Sequence, residues 1–274
     1  MATATPDRVD FNAVKQRQRA AWSSGDYSVV GATLVIVAEQ LCETVDLRSG
    51  QRVLDVATGS GITAIAAARR FCDVTGIDYV PALLDRARER AAAEHLSVTF
   101  QEGDAEALPF PDASFDAVLS TFGVMFAPNQ EQSARELLRV CRPGGKIGLA
   151  SWTPDSFIGQ MFRTMGKYIP PPAGVRPPSL WGTEERLREL FGDGITNLAA
   201  TQRTFAFRYH SAQHWLEIFR TYYGPVEKAF GALDAQGQAG LADDLTELLE
   251  RIDVGGGTGL VVPSEYLEVV ATRA

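Results

Sequence analysis

Asp55, Gly59, Gly61 and Asp78 are the residues of the N-terminal half whose types and spacing could do chemistry. They fall in Arg52-Val53-Leu54-Asp55-Val56-Ala57-Thr58-Gly59-Ser60-Gly61-Ile62-Thr63-Ala64 and Val74-Thr75-Gly76-Ile77-Asp78. Glycines at 59 and 61 let the backbone turn sharply and approach a ligand with no Cβ in the way. A helix starting just beyond them offers free N–H groups. Two cofactor classes suit such a turn. Gly59-x-Gly61-x-x-Ala64, with Asp78 about 20 residues on, matches the dinucleotide fingerprint. Asp55 weighs against a dinucleotide, because it would face two phosphate charges. Two like charges about 4 Å apart repel by roughly 4 kcal/mol at an effective dielectric near 20. S-adenosylmethionine (SAM) carries an ammonium and a sulfonium instead, and both favour a nearby carboxylate. The stretch favours SAM, and Asp55 can also cap the turn.

The elements around these residues alternate. Val53 to Val56 is a β-branched apolar run that reads as a buried parallel strand. An Ala-rich helix follows to about Arg70. Val74 to Asp78 is a second strand. Pro81 sits at a good first helical position, and Leu83 to Glu94 is an exposed helix. Ser97 to Gln101, Phe115 to Ser120 and Lys146 to Ser151 are further strands. A proline-broken loop, an amphipathic helix from Glu131 to Cys141 and a turn at Arg142 to Gly145 separate them. This order predicts an α/β fold: a doubly wound, Rossmann-like sheet, mostly parallel, with ligands at the carboxyl ends of its strands.

The flanks are less regular. Met1 to about Asp7 reads as a frayed tail. Phe11 to Trp22 has helical spacing with several basic residues, and Val29 to Val45 is a mostly apolar helix. Between them Trp22 to Tyr27 is a turn with a glycine hinge at Gly25. Beyond Trp152 the sequence predicts a helix to Tyr168, a stiff Pro-rich loop over 169–179 and a short helix from Glu184 to Phe191. A strand within 196–209, an unbroken helical stretch from Ser211 to about Ile252 and a glycine hinge at 255–257 come next. A last strand over 267–271, pairing antiparallel, would complete a seven-stranded sheet with helical insertions. Three units result: N-terminal helices and lid over 1–45, a SAM-binding core over 46–152, and a helical cap and acceptor region over 153–274 that returns to complete the sheet.

The totals narrow the classes. The chain has 274 residues, enough for one decorated domain, and its 45% hydrophobic and 22% charged content is that of a globular protein. A net charge of −8 with no basic patch argues against a nucleic-acid partner. Cys42, Cys72 and Cys141 show no metal-binding or disulfide spacing, which fits a reducing cytoplasm. No uninterrupted apolar span near 18 residues is expected, so neither export nor a membrane span is indicated.

These motifs, in this order, resemble the class I SAM-dependent methyltransferases. They are most similar to the group of ubiquinone/menaquinone-biosynthesis and sterol C-methyltransferases. Val53 to Gly61 is similar to the family's first motif, and Gly76-Ile77-Asp78 to its second-strand acid. Glu102-Gly103-Asp104-Ala105-Glu106-Ala107-Leu108-Pro109-Phe110 with Ser114 to Val118 resembles its third and fourth blocks. Leu138-Arg139-Val140-Cys141-Arg142-Pro143-Gly144-Gly145 resembles its post-core turn. The resemblance covers about Val53 to Trp152. It departs at Ala57, where many members have Gly; an Ala Cβ there narrows the methionine end of the site without abolishing binding.

The resemblance implies a role for each candidate. Asp78 takes the two ribose hydroxyls of SAM, Tyr79 lies against the adenine, and Asp104 accepts from the adenine amino group while the Ala105 N–H donates to a ring nitrogen. Ser120 and Thr121 end the fourth strand where the methionine part passes. Phe122 and Phe126 wall the methyl path, and Trp22 and Tyr27 form a lid. Each has a plainer reading: Asp78 as a helix cap, Asp104 as a turn acid, the aromatics as core. His210 and His214 stand beside a C-terminal aromatic cluster, where one could deprotonate an acceptor hydroxyl or simply pack; His95 reads as solvated. Trp215, Phe219 and Tyr222 share one helical face, as core or as pocket wall. The expected activity is metal-free, in-line transfer of a methyl group from SAM to a small-molecule acceptor at O, C or N, with S-adenosylhomocysteine as product. A SAM-binding protein without transferase activity and an NAD-dependent oxidoreductase are the alternatives. A homodimer is left open.

Overall fold

The structure, a computed structural model, describes residues 9 to 274. The expected tail over 1–7 lies outside the described residues. The chain begins with helices α1 (Phe11–Trp22), α2 (Tyr27–Gly31) and α3 (Val35–Val45). Asp10 and Asp26 cap the first two by accepting from Ala13 N–H and Ser28 N–H. The core follows as β1 (Arg52–Val56), α4 (Ile62–Ala68), β2 (Asp73–Asp78), α5 (Pro81–Ala93), β3 (Thr99–Glu102), β4 (Phe115–Thr121), α6 (Gln130–Val140) and β5 (Cys141–Trp152). Then come α7 (Phe157–Tyr168), α8 (Glu184–Phe191), β6 (Ile195–Tyr209), α9 (Ala212–Tyr222), α10 (Gly224–Gly231), α11 (Ala235–Ile252) and β7 (Leu260–Arg273).

The seven strands form one sheet in the order β3-β2-β1-β4-β5-β7-β6. The first five are parallel, and β7 runs antiparallel between β5 and β6. β1 lies centrally because its apolar residues Val53, Leu54 and Val56 are buried on both faces. Every residue of α4 is buried, and its alanines let that helix sit close on the sheet. The strand order reverses between β1 and β4, so a crevice opens at their carboxyl ends. The fold is the Rossmann-like, mostly parallel sheet with helical insertions that the sequence predicts.

Several boundaries differ. β3 and β4 each end one residue later than expected. β5 takes in Arg142 to Gly145, expected as a turn; its pairing with β4 is irregular between Phe115 and Ala117. β7 begins at Leu260, seven residues early, because the whole strand is needed to span the long β6. The 211–252 stretch is three helices rather than one. Pro225 lies in the first turn of α10, a position incompatible with a helix interior, and Asp234 caps α11 by accepting from Gly237 N–H. The glycines at 255–257 form the turn into β7. Tyr27–Val45 is long and apolar enough to cross a membrane by length and composition, contrary to the expected absence of such a span. In the fold its apolar side, including Val37, Leu41 and Val45, joins the core. The three cysteines are unpaired and buried.

Candidate active site

The turn after β1 is built by backbone in left-handed conformations. Gly59 and Gly61 have φ of 54° and 80°, and a Cβ on Gly61 would stand 2.9 Å from the Ala87 Cβ. Glycine is required there for both reasons. Asp55 holds this turn from beneath. One of its carboxylate oxygens accepts from Thr58 Oγ1 at 2.5 Å and from Ala64 N–H at 2.9 Å. It is buried and does not line the cavity, and both of its hydrogen bonds hold the turn. Burial pushes its carboxyl up to about 7, against the hydrogen bonds from Thr58 and Ala64.

Asp78 ends β2 beside that turn. Its two oxygens accept from different backbone groups, Gly59 N–H and Val80 N–H, both at 2.9 Å. Each oxygen retains acceptor capacity for a ligand. Burial raises this carboxyl to about 6, partly offset by the N–H groups of Val80, Gly59 and Tyr79. Asp78 lines a cavity of about 730 Å³, its open mouth included.

Three further groups complete the walls. At one end stand Tyr79, Leu83, Asp104 and Ala105. Asp104 takes Glu106 N–H on one oxygen and Lys15 Nζ on the other, at 2.9 and 2.6 Å. At the opposite end are Ala57, Thr121, Phe122 and Gly123. Ala57 and Phe122 both hold φ near 55°, a conformation that costs a residue with a Cβ about 1–2 kcal/mol. The roof is aromatic. Trp22 meets Tyr27 and Phe126 edge-to-face with ring centres 5.4 and 5.0 Å apart, and buried Tyr223 backs the pair. Burial, with Asp78 nearby, holds the Tyr27 phenol far above its ordinary range, so the roof is neutral.

Among the residues expected here, Trp22, Tyr27, Ala57, Gly59, Asp78, Tyr79, Asp104, Ala105, Thr121, Phe122 and Phe126 line this one cavity. Gly61 does not line it. Ser120 is a buried tie, donating to Val56 C=O and accepting from Val124 N–H. The C-terminal candidates are not brought in. Trp215 is fully buried and stacks on Phe219 at 4.0 Å, which makes it core. Tyr222 is half-buried at the end of α9. His210 and His214 pack on each other 4.6 Å apart at the β6–α9 turn, where the His210 N–H donates to His214 Nδ1. No residue after Pro128 lines the cavity, so the cap supplies its backing rather than its walls. Lys15, Thr58 and Gly123 line it without having been expected. The signal for Lys15 lay in the helical spacing of Lys15, Gln18, Arg19 and Trp22 on one face of α1.

The site and sheet together define a SAM-type methyltransferase architecture, and comparison with known proteins gives it a family. A methyltransferase domain model matches residues 54–149. An uncharacterized protein of Mycobacterium tuberculosis is 38% identical over the whole of both chains. A demethylmenaquinone methyltransferase of Deinococcus radiodurans is 43% identical over 131 residues, 46% of this chain and 54% of that protein. The YcgJ protein of Bacillus subtilis shares the fold at a TM-score of 0.60 and 18% identity, covering 89% of this chain and 98% of that one. The chain belongs to the class I SAM-dependent methyltransferases.

Proposed function

We propose that the protein transfers a methyl group from SAM to a small-molecule acceptor at O, C or N. The observation that carries this reading is Asp78. A buried carboxylate, fixed through both oxygens by the Gly59 and Val80 N–H groups, faces a cavity behind a glycine turn. Such a group can accept both hydrogen bonds of a vicinal diol, as in ribose. Tyr79, Leu83, Asp104 and Ala105 then suit the adenine, and Ala57 and Thr121 the methionine part. The SAM sulfonium supplies a methyl group that is already electrophilic. The chain's own residues have three tasks: to bind the nucleoside, to hold an acceptor in line, and to keep water out under Trp22, Tyr27 and Phe126.

No histidine lines the cavity among the described residues, so the reading assigns no general base to His210 or His214. The walls near Phe122 and Phe126 favour an apolar or aromatic acceptor. Three unpaired thiols support a cytoplasmic setting. The test is incubation with methyl-labelled SAM and a panel of phenols, quinols, amines and lipid-like acceptors. Label on one acceptor with matching S-adenosylhomocysteine is the expected result. Tight SAM binding with no transfer to any acceptor would favour a SAM-binding protein without transferase activity. NAD binding without SAM binding would favour the oxidoreductase.

A further inference from the structure

We propose that Arg90 is a positioning residue of the cofactor site: through Ser60 it sets the gap between the glycine turn and the Tyr27 ring above it. This rests on the SAM reading above. Ser60 is buried and lines the cavity. Arg90 reaches it from α5. Its Nη1 donates to the Ser60 carbonyl at 2.9 Å and to Ser60 Oγ at 3.2 Å. Among the described residues no carboxylate pairs with this guanidinium; Glu94, one helical turn on, is held by Arg69 at 2.6 Å. A half-buried cation without an acid is unfavourable. Burial accordingly lowers the guanidinium from its ordinary value. The two hydrogen bonds to one turn residue are what offset that cost.

The ties of the turn are divided among three side chains. Asp55 holds Thr58 and Ala64, Asp78 holds the Gly59 N–H, and Arg90 holds Ser60. The Gly61 N–H donates to the Thr58 carbonyl at 2.9 Å, so the Ser60–Gly61 peptide is fixed at both of its polar atoms. The serine also meets the lid. A Cβ on Gly31 would stand 3.0 Å from Ser60 Oγ and 3.2 Å from Tyr27 Cε1, so α2 approaches the serine with no spare room. A Cβ on Gly59 would be 3.7 Å from the same ring atom. Ser60 is thus held by Arg90 and abuts α2, and Tyr27 rests over the turn to which the serine belongs. α5 reaches the lid directly as well: Arg86, one turn before Arg90, lies 3.2 Å from Asp26, the cap of α2. Loss of Arg90 leaves Thr58, Gly59 and Ala64 held, so the turn stays folded while Ser60 is free to shift. A ligand on Asp78 beneath Tyr27 then loses its close fit against the roof.

The experiment is calorimetric titration with S-adenosylhomocysteine at neutral pH, well below the melting point of each protein. The proteins are native, Arg90→Met, Arg90→Lys, Tyr27→Leu and Arg90→Met/Tyr27→Leu, each checked by thermal melting. Arg90→Gln or Tyr27→Met replaces any member that does not fold. Arg90→Met should weaken binding by roughly tenfold, the size expected for a hydrogen bond to a charged group. Both native bonds come from one nitrogen, so Arg90→Lys, whose ammonium has donors for both, should recover most of that loss. The double variant should lose less than the product of the two single losses, because Arg90 acts on the ligand by way of Tyr27. Affinity unchanged by Arg90→Met, even with a lower melting point, would make the arginine a tie of the fold alone and overturn the proposal. A lysine variant no better than the methionine one, or losses that simply multiply, would overturn it as well. Native protein that does not bind S-adenosylhomocysteine would overturn the SAM reading itself.

Discussion

Ala57 and Gly123 meet across the cavity floor with no room for another atom. A Cβ on Gly123 would stand 2.3 Å from the Ala57 carbonyl oxygen and 2.8 Å from its Cβ. Ala57 has a left-handed backbone, and the missing side chain at 123 makes the space that its methyl takes. The two positions are therefore expected to be coupled. Gly123→Ala should cost about 1–3 kcal/mol by overpacking. Ala57→Gly relieves backbone strain of about 1–2 kcal/mol but adds unfolded-state entropy of similar size, so its own effect should stay within about 1 kcal/mol. The double variant should be more stable than the sum of the singles, which a denaturant cycle measures directly.

Asp78→Ala is expected to weaken S-adenosylhomocysteine binding by about 1.5–3 kcal/mol, the range for hydrogen bonds to a charged group. The variant also strands the Gly59 and Val80 N–H groups, so its melting point should fall. Asp55→Asn tests the division between the two acids. Asn can still accept at one oxygen from Thr58 and Ala64, and Asp55 does not line the cavity. Affinity should therefore change by less than tenfold while the turn loses stability. Titration calorimetry on both variants checks this; equal losses would place Asp55 in contact with ligand.

The pH dependence should have opposite signs for stability and for binding. Asp55 and Asp78 are raised to about 7 and about 6 by burial. The unfolded groups titrate near 3.9. Between that range and the raised values, the folded chain binds more protons than the unfolded chain, so stability falls as pH rises. Ligand-free protein should melt higher near pH 5 than near pH 8, and Asp55→Asn should flatten that trend. Asp116 and Glu136, held low despite partial burial by partners that include Arg142 and Arg139, act oppositely only below the ordinary carboxylate range. Binding needs ionised Asp78, so affinity for S-adenosylhomocysteine should fall below about pH 6. A ligand titration at several pH values shows whether the two slopes part as expected.

The parallel core was legible because each strand ends in a residue that marks it. Asp55, Asp78 and Thr121 sit at carboxyl ends, and the glycines at 59 and 61 announce the turn. The cap was read less well. Trp215, Phe219 and Tyr222 have the spacing of one helix face, but spacing cannot say whether that face meets a ligand or a sheet. The break at Gly224-Pro225 was visible in principle, since proline cannot continue a helix. Lys15 was harder to see, because its partners Asp104 and Glu106 are 89 and 91 positions away and only the folded chain joins them. The apolar segment 29–45 reads as one helix in the sequence, whereas in the fold a 3-10 turn at Ala32–Leu34 separates α2 from α3.

Trp215→Ala is expected to destabilise the protein by about 3–5 kcal/mol, the usual cost of removing a buried aromatic ring. Its stacking partner Phe219 and its edge contact with Phe157 at 5.5 Å would both face the void. His214→Ala should change stability little and leave cofactor affinity within about threefold, since it shares no partner with the cavity. If His214→Ala abolished methyl transfer while binding stayed intact, the histidine would belong to the acceptor site after all.

The aromatic roof gives a last prediction. Trp22, at the end of α1, and Tyr27, at the start of α2, are joined by a short turn around Gly25. That turn rests on the cap: Trp22 meets Tyr223 at 5.4 Å, and Ser24 Oγ donates to Glu227. Movement of this segment must therefore separate it from α10 as well as from the cavity. A ligand bound beneath Trp22 and Tyr27 adds contacts to the closed arrangement only, and so shifts the population toward it. Hydrogen exchange of 22–30 should slow on adding S-adenosylhomocysteine, and 223–228 should slow with it. Removing the Ser24 contact by Ser24→Ala should speed exchange in the ligand-free protein and leave the ligand-bound rate nearly unchanged. Exchange that is identical with and without ligand in both segments would show a fixed wall rather than a lid.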